Sequence, residues 1–193
     1  KQEFQNAFSG ALKWFEYATA SNGRTGYNVP GDEGSRLAKG HPDPYPFSKE
    51  LSCMSAVGVL CRLFAGQSRK EASIRSGVDI LNQQPPMWRE AKGRSLSTIN
   101  IYYWYYATYA MHNMGGEYRV WWNRRIRDVL IENQSREGDN AGSWDPKGAS
   151  HGSSGGRVYT TAIGALCLEV YYRYSEALNS FGTAPDIDDL FLQ

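Results

Sequence analysis

One hexapeptide occurs twice in the chain. AVGVLC at 56–61 returns 106 positions later as AIGALC at 162–167. Upstream of each copy an aromatic pair recurs at nearly the same offset, with WF at 14–15 matching WW at 121–122. A shorter, diverged copy lies between them and includes YATYAM at 106–111. Self-similarity at a fixed spacing is typical of repeat architectures, so the sequence predicts three copies of one unit.

Each unit is predicted to fold as helix, loop and helix, and its first helix is amphipathic. Apolar residues recur three or four positions apart along one side of this helix, as expected for an outer helix with one solvated face. In the third unit Arg124, Arg127 and Asp128 occupy the opposite side. The apolar stripes consist of Phe4, Phe8, Ala11, Leu12 and Phe15 in the first unit, Ile74, Val78 and Leu81 in the second, and Tyr118, Trp122, Ile126, Val129 and Leu130 in the third.

The second helix of each unit is apolar or aromatic on nearly every side. These segments span 51–64, 99–111 and 158–174. An apolar surface all round a helix indicates burial on more than one side. The alternation predicts an all-α fold of the α/α-toroid or solenoid type, with three stacked helical hairpins, buried inner helices and amphipathic outer helices.

We expect a single domain over residues 1–193. Its hairpin units fall at about 4–67, 71–115 and 117–178, followed by an acidic C-terminal tail at 179–193. Alternating apolar and polar runs joined by hairpin turns are missing, which argues against a β fold.

Charge and hydropathy argue against several classes of protein. Lys and Arg number 21 against 20 Asp and Glu, and no basic run stands out, so nucleic-acid and anionic-membrane binding are disfavoured. No apolar stretch reaches the length of a transmembrane segment. The three cysteines form no CxxC motif and are odd in number, so a disulfide framework is not expected. The chain begins with Lys1, so we expect it to have been processed or cut from a longer protein, and its compartment stays unassigned.

The connectors between helices are rich in Gly, Pro and Ser. The longest runs through residues 21–47, and another spans 138–157. Long loops in compact domains usually carry function or are disordered. An aromatic residue follows a turn in each connector, at Tyr27, Trp88 and Trp144.

Two glutamine–tryptophan patterns resemble a known superfamily. Gln83 and Gln84 stand before Trp88, and Gln134 stands before GSW at 142–144. These patterns are similar to degenerate QW-type repeats of the squalene cyclase and prenyltransferase superfamily. The resemblance is specific for the fold and says little about activity, because the superfamily includes both enzymes and toroids without enzymatic activity.

Three further segments resemble the prenyltransferase/squalene-oxidase-repeat proteins of planctomycete-type bacteria. They are IYYWYYAT at 101–108, GSWDP at 142–146 and GRVYTT at 156–161, and the resemblance spans most of residues 5–175. It implies an α/α toroid, and an exported or cell-envelope protein. The superfamily contains terpene cyclases, protein prenyltransferase subunits and toroids without enzymatic activity. Its full toroids have more hairpins than are found here, which implies a partial or shortened toroid.

Two catalytic signatures of that superfamily are poorly placed in this chain. DIDD at 186–189 resembles the acid that protonates an alkene in class II terpene cyclases, yet terminal acidic clusters are usually solvated. A zinc site like that of protein prenyltransferase β subunits needs Asp, Cys and His together. His41, His112 and His151 share no motif with a cysteine. We therefore expect no metal and no cofactor, and we assign no catalytic residue.

The glycine-rich segment 148–157 has two interpretations. It ends at a predicted helix start, where free N–H groups and the charge of Arg157 could hold a diphosphate or carboxylate beside His151. The segment lacks the spacing of a phosphate-binding loop, and a flexible connector is the favoured interpretation.

Glu169 interrupts an apolar helix and needs a partner. Arg173 follows four positions later, the favourable orientation for an ion pair on one helix. A structural ion pair is the favoured interpretation, and an acid facing a cavity is the alternative.

The aromatic run YYWYY at 102–106, together with Tyr109, is too continuous to face one side of a helix. Some rings must therefore point to the inner surface and others into the hairpin packing. Surface rings could stabilise carbocations or stack on sugars, whereas core rings fill volume. The excess of 13 Tyr over 7 Phe favours a surface that also needs hydroxyl groups.

The leading hypothesis is a domain, non-catalytic or without a recognisable catalytic motif, whose aromatic concave surface binds a hydrophobic or glycan small molecule, or a protein partner. The alternative is an isoprenoid-processing enzyme domain, related to terpene cyclases or prenyltransferases. A third hypothesis is half of a toroid, completed by a second copy or by further sequence. The candidate ligand-binding residues are Tyr27, Trp88, Tyr102, Tyr105, Tyr109, Trp144, His151, Arg157 and Tyr159.

Overall fold

The computed structural model describes residues 2–32, 53–90 and 97–179. Within these ranges the regular elements are helices, an isolated β-bridge joins Thr19 and Thr25, and there is no strand, which confirms the predicted all-α class. None of the helices in these ranges is both long enough and apolar enough to cross a membrane. The helices are α1 Gln2–Ala18, α2 Cys53–Phe64, α3 Ala72–Gln83, α4 Ile101–Met114, α5 Gly116–Glu132 and α6 Gly152–Asn179, with a 3-10 turn at Gly138–Asn140.

Several sequence predictions concern positions outside this description. They include the acid string at 186–189, His41, the acidic tail from residue 180 onward and the side chain of Arg173. The proposed ion pair of Glu169 with Arg173 therefore stays a prediction.

Helices α2, α4 and α6 form a row with α4 in the middle, and they are called the inner helices below. Near the start of α4, Tyr102 lies beside His151, which directly precedes α6, with ring centroids 5.7 Å apart. Near the end of α4, His112 packs edge-on against Tyr171 of α6 at 5.4 Å. The thiol of Cys53 interacts electrostatically with Tyr102, so α2 begins at the same end as α4. The three inner helices therefore run parallel.

Helices α3 and α5 each pack mainly on the inner helix that precedes them in the chain. The extensive contacts of α3 are with α2, and those of α5 are with α4 and, to a lesser extent, with α6. The hairpin units predicted from the sequence instead grouped α3 with α4, and α5 with α6. The difference follows from the connectors, because α2–α3 and α4–α5 are joined by short turns whereas 84–100 and 133–151 are long.

The turn between α4 and α5 depends on two adjacent glycines. Gly115 and Gly116 have φ angles of 69° and 53°, a region that is strained for residues with a Cβ atom. The N–H of Gly115 donates to the carbonyl groups of Met111 and His112, which ends α4. This glycine pair lets an outer helix follow an inner helix without a loop.

The core is built around large aromatic side chains on α4 and α5. Tyr103 and Trp122 are fully buried, and their rings pack edge-on at 6.2 Å. The indole Nε1 of Trp122 donates to Oγ1 of Thr108 at 2.9 Å, and the hydroxyl of Tyr103 donates to the carbonyl of Gln84 at 2.9 Å. The central residues of the predicted stripes on α3 and α5 are confirmed as core, since Ile74, Val78, Leu81, Trp122, Ile126 and Leu130 are fully buried.

The stripe predicted for α1 is only partly covered. Phe15 is buried, whereas Phe8 is 48% exposed. A groove of about 620 Å³ separates the first part of α1 from the end of α2, and Phe8, Leu12 and Phe64 line it. Phe8 therefore borders open space where the amphipathic pattern predicted a neighbouring helix.

The hexapeptide repeat corresponds to a repeated packing arrangement. A Cβ atom on Gly58 would stand 2.8 Å from Oγ1 of Thr25, and one on Gly164 would stand 2.9 Å from Cε3 of Trp144. Both glycines thus admit a side chain from the long connector that precedes their helix. The equivalence of α2 and α6 extends beyond the hexapeptide to these connectors.

Helix α6 begins earlier than the sequence suggested. The connector was expected to reach residue 157, but a helical turn already starts at Gly152. The carbonyl of His151 accepts hydrogen bonds from the N–H groups of Ser154 and Gly155, at 3.2 and 2.8 Å, which forms that turn. Gly156 then interrupts the helix with φ 62° and ψ −165°, so the rest of α6 starts after a kink.

Candidate functional site

A stripe of tyrosines follows a side of α4 on which no described helix is packed. Tyr102, Tyr105, Tyr106 and Tyr109 are spaced three or four positions apart, so they share one side of the helix. All four are at least partly exposed, whereas their neighbours Tyr103 and Trp104 lie in the core. The aromatic run is therefore divided between surface and core in the way that helical geometry predicts.

The tyrosine rings contact each other along this stripe. Ring centroids are 5.0 Å apart for Tyr102 and Tyr106, 5.2 Å for Tyr105 and Tyr106, and 5.0 Å for Tyr105 and Tyr109. All three pairs pack edge to face, the geometry that aromatic quadrupoles favour. Mutual packing restricts ring motion, so the stripe presents a preorganised aromatic surface.

Residues of the third unit extend this surface. The imidazole of His151 packs edge-on against Tyr102 at 5.7 Å and also against Tyr159 at 6.2 Å. His151 has φ 58°, and it is the one described residue other than glycine with a positive φ. Tyr102, Tyr105, Tyr106, Tyr109 and Tyr159 are called the tyrosine face below.

Three groups at the tyrosine face, the hydroxyls of Tyr102 and Tyr159 and the thiol of Cys53, have raised pKa values. The hydroxyl of Tyr102 donates to that of Tyr106 at 3.4 Å, and this bond, with burial, raises the pKa of Tyr102. Burial raises the pKa of Tyr159 to about 12 and that of the neighbouring thiol of Cys53 to about 12. The phenols of Tyr102 and Tyr159 are protonated at neutral pH, and Cys53 is a thiol and not a thiolate nucleophile. The surface offers π faces and hydroxyl groups without formal charge.

Five of the nine predicted binding residues meet here, and three aromatic ones do not. Trp144 lies in the core, where its Nε1 donates to the carbonyl of Leu130 at 2.8 Å and its ring covers Gly164. Trp88 packs against the buried Trp104 at 5.9 Å. Tyr27 is exposed in the first connector, and its N–H donates to the carboxylate of Asp32. These contacts join the two tryptophans to the core and Tyr27 to its own connector.

Arg157, the ninth candidate, has partners within its own connector. Its Nη2 lies 2.7 Å from a carboxylate oxygen of Asp145, and its Nη1 donates to Ser143 at 3.1 Å and to Ser135 at 3.5 Å. The N–H of Lys147 and the guanidinium of Arg157 lower the pKa of Asp145. An anion at Arg157 would have to compete with this carboxylate.

A polar cluster that sequence inspection missed lies between α4, α5 and α6. Burial, together with the guanidinium of Arg119, lowers the pKa of His112 to about 4. Arg119 is only 4% exposed and also faces Tyr171, whose pKa burial raises. The sequence contained one signal for the burial of Arg119. It stands three residues before Trp122, so it shares the apolar side of α5.

No protein-family model, curated protein or solved structure matches this chain. In the part of the chain that the structure describes, no group of three or more His, Cys, Asp or Glu residues is arranged to hold a metal ion. The functional inference therefore rests on the geometry of the tyrosine face.

Proposed function

We propose that this chain is a binding module of α/α-toroid type, and that its tyrosine face binds a neutral ligand with both apolar and hydroxyl surface, such as a glycan. The observation that carries the proposal is the continuous stripe of four part-exposed tyrosines on α4, extended by Tyr159 on α6. Helical rise makes the distance from Tyr102 to Tyr109 about 10 Å, enough for a short oligosaccharide.

The chemistry of the face supports a glycan more than a charged ligand. Sugar rings present C–H groups that pack on aromatic faces, and their hydroxyl groups exchange hydrogen bonds with phenols. The tyrosine face carries no formal charge, and the one cation that the sequence suggested for an anionic group, Arg157, pairs with Asp145. An unpaired phosphate or carboxylate would find no counter-charge among the tyrosines.

The isoprenoid-enzyme alternative needs a proton donor or a metal at the aromatic surface. The tyrosine face contains no carboxyl group, and the phenols of Tyr102 and Tyr159 are poor acids because their pKa values are raised. Binding without turnover is therefore the function that these residues support best. The toroid assignment comes from the QW-type patterns and from the alternation of inner and outer helices.

Isothermal titration with a panel of neutral oligosaccharides tests the proposal, with squalene and farnesyl diphosphate in parallel thermal-shift assays. We expect a glycan to bind, Tyr105→Ala to abolish binding, and Tyr105→Phe to keep part of it because the ring remains. Tyr17→Ala is the matched control, since Tyr17 is an exposed tyrosine on α1. Glycan binding that survives Tyr105→Ala, or a thermal shift with either isoprenoid and no binding of any glycan, would overturn the proposal.

A further inference from the structure

The two ends of the inner row carry complementary uncovered surfaces. On α6 the uncovered residues are Val158, which is 83% exposed, with Ala162 and Ala165, which are also exposed, and the half-buried Leu166. The helices described in extensive contact with α6 are α4 and α5. Neither of them covers this side, which is called the free edge of α6 below.

The internal repeat shows what kind of neighbour fits the free edge of α6. Counting back 106 positions, Ala162 and Ala165 correspond to Ala56 and Val59 of α2. Those two residues are 0% and 2% exposed in the core, where a Cβ atom on Gly77 of α3 would stand 2.5 Å from Cγ2 of Val59. The outer helix α3 and the next inner helix α4 are the described helices in extensive contact with α2. The free edge of α6 is thus the equivalent of a surface that is buried on α2, 106 positions earlier in the chain.

At the other end of the row, α2 has no described inner helix on the side that faces away from α4. Cys167 of α6 is fully buried on the side that faces α4, whereas its equivalent Cys61 of α2 is only half-buried. Met54 and Val57, on the same side of α2, are half-buried too. The described helices place no inner helix before α2, so this side has lost the neighbour that α4 provides for α6.

Helix α1 is an outer helix without a preceding inner helix. Both α3 and α5 pack on the inner helix that precedes them, and the described residues place no inner helix before α1. Accordingly α1 makes no extensive contact with any described helix, and Phe8 of its apolar stripe stays exposed beside the groove at Leu12 and Phe64. Helices α1 and α2 together present what the free edge of α6 lacks, an outer helix and an inner helix.

We infer that a second copy of this chain packs through its α1 and α2 on the free edge of α6, continuing the inner row from one copy to the next. The occupant is a second copy because one chain carries both halves of the contact, related by its own repeat. Such a contact is heterologous, joining two different surfaces, and it leads to a closed ring or to an open chain of copies. Solenoid ends without polar caps favour this type of assembly.

Sedimentation velocity of the full chain over a wide concentration range tests the inference. We expect the wild type to grow beyond the mass of one chain as concentration rises. Ala165→Glu on α6 and Phe8→Glu on α1 should each keep the chain monomeric, because a charge would be buried at one half of the contact. Val120→Glu is the matched control, since Val120 is 46% exposed on α5 and Phe8 is 48% exposed on α1. Circular dichroism and thermal unfolding establish that every variant is folded, and Val158→Glu replaces Ala165→Glu if that variant does not fold.

Mixing the two variants distinguishes this contact from a symmetric one. Ala165→Glu retains an intact α1–α2 surface, and Phe8→Glu retains an intact free edge of α6, so the mixture should form complexes of two chains and no larger. A wild type that is monomeric at every concentration would overturn the inference, and it is the expected result if residues 33–52 or 180–193 of the same chain cover these surfaces. A mixture that stays monomeric while the wild type assembles would also overturn it.

Discussion

Ser55 and Thr161 lie 106 positions apart, and each hydroxyl oxygen accepts a hydrogen bond from the backbone N–H of a connector residue. Ser55 accepts from Thr25 at 3.0 Å, and Thr161 accepts from Trp144 at 3.3 Å. Three positions after each hydroxyl comes the glycine, Gly58 or Gly164, that admits the side chain of the same connector residue. The same contacts between connector and inner helix therefore occur in both copies of the repeat, although the connector residue is threonine in one and tryptophan in the other.

The close contact between Gly164 and Trp144 predicts that Gly164→Ala destabilises the fold. The added Cβ atom would stand 2.9 Å from Cε3 of Trp144, a ring fixed by its hydrogen bond to the carbonyl of Leu130. Because neither backbone nor ring can yield easily, we expect a loss of about 1–3 kcal/mol in the free energy of unfolding, measured by urea denaturation. Gly10→Ala in α1 is the control, since its Cβ would meet no atom within 4 Å. That change should stabilise by about 0.5–1 kcal/mol. Equal stabilities for the two alanine variants would contradict the close packing.

Arg157→Ala should have only a small effect on stability. The ion pair with Asp145 is solvent-accessible, with side-chain exposures of 28% and 56%. Pairs of this kind contribute less than about 1 kcal/mol. The pKa of Asp145 is lowered in the folded state, so its carboxylate stabilises the fold above the ordinary pKa of 3.8. This contribution to the free energy of unfolding is lost as pH falls through the lowered pKa of the folded state.

The difference in melting temperature between wild type and Arg157→Ala should therefore shrink on strong acidification. Arg127→Ala is a suitable comparison, because Arg127 pairs with the adjacent Asp128 on exposed α5 surface and should cost even less. A large loss of stability in Arg157→Ala at neutral pH would show that the connector depends on this guanidinium.

The lowered pKa of His112 predicts a second dependence of stability on pH. Here the folded state favours the neutral form of the side chain, whereas for Asp145 it favours the charged form. The folded pKa of His112 is lowered from 6.5 to about 4, so the unfolded chain binds the proton more readily than the folded chain between these values. The associated stability is complete above pH 6.5 and declines towards pH 4, by an amount of the order of 3 kcal/mol. Chemical denaturation at several pH values should give a steeper decline in the wild type than in His112→Gln.

A direct measurement of this group is available by nuclear magnetic resonance. The ring protons of His112 should titrate near pH 4 in the folded chain, and Arg119→Met should raise the pKa because a neighbouring positive charge is removed. Parallel pH profiles for wild type and His112→Gln, or an unchanged titration in Arg119→Met, would contradict this account.

The repeat and the helical stripes were readable from the sequence because they depend on spacing alone. The same spacing divided Tyr102 and Tyr105 from Tyr103 and Trp104, so the tyrosine face follows from helical geometry once α4 is placed. Trp144 could not be assigned in this way, since a ring suits a core and a ligand site equally well.

The spacing of residues along the chain could not predict which helices pack against each other. Whether α3 packs on the helix before it or the helix after it depends on connector lengths and on glycine conformations such as those of Gly115 and Gly116. The cluster of His112 and Arg119 joins residues of two helices whose relative rotation only the folded chain defines. Local periodicity contains no information about that rotation.

The parallel direction of α2, α4 and α6 has an electrostatic consequence for the tyrosine face. Peptide dipoles in the three helices add in one direction, so the end at Tyr102 and His151 lies in a positive potential and the end towards His112 in a negative one. The tyrosine face is thus polarised along its length although it has no charged side chain. An uncharged ligand with an uneven distribution of oxygen atoms would accordingly bind in one orientation.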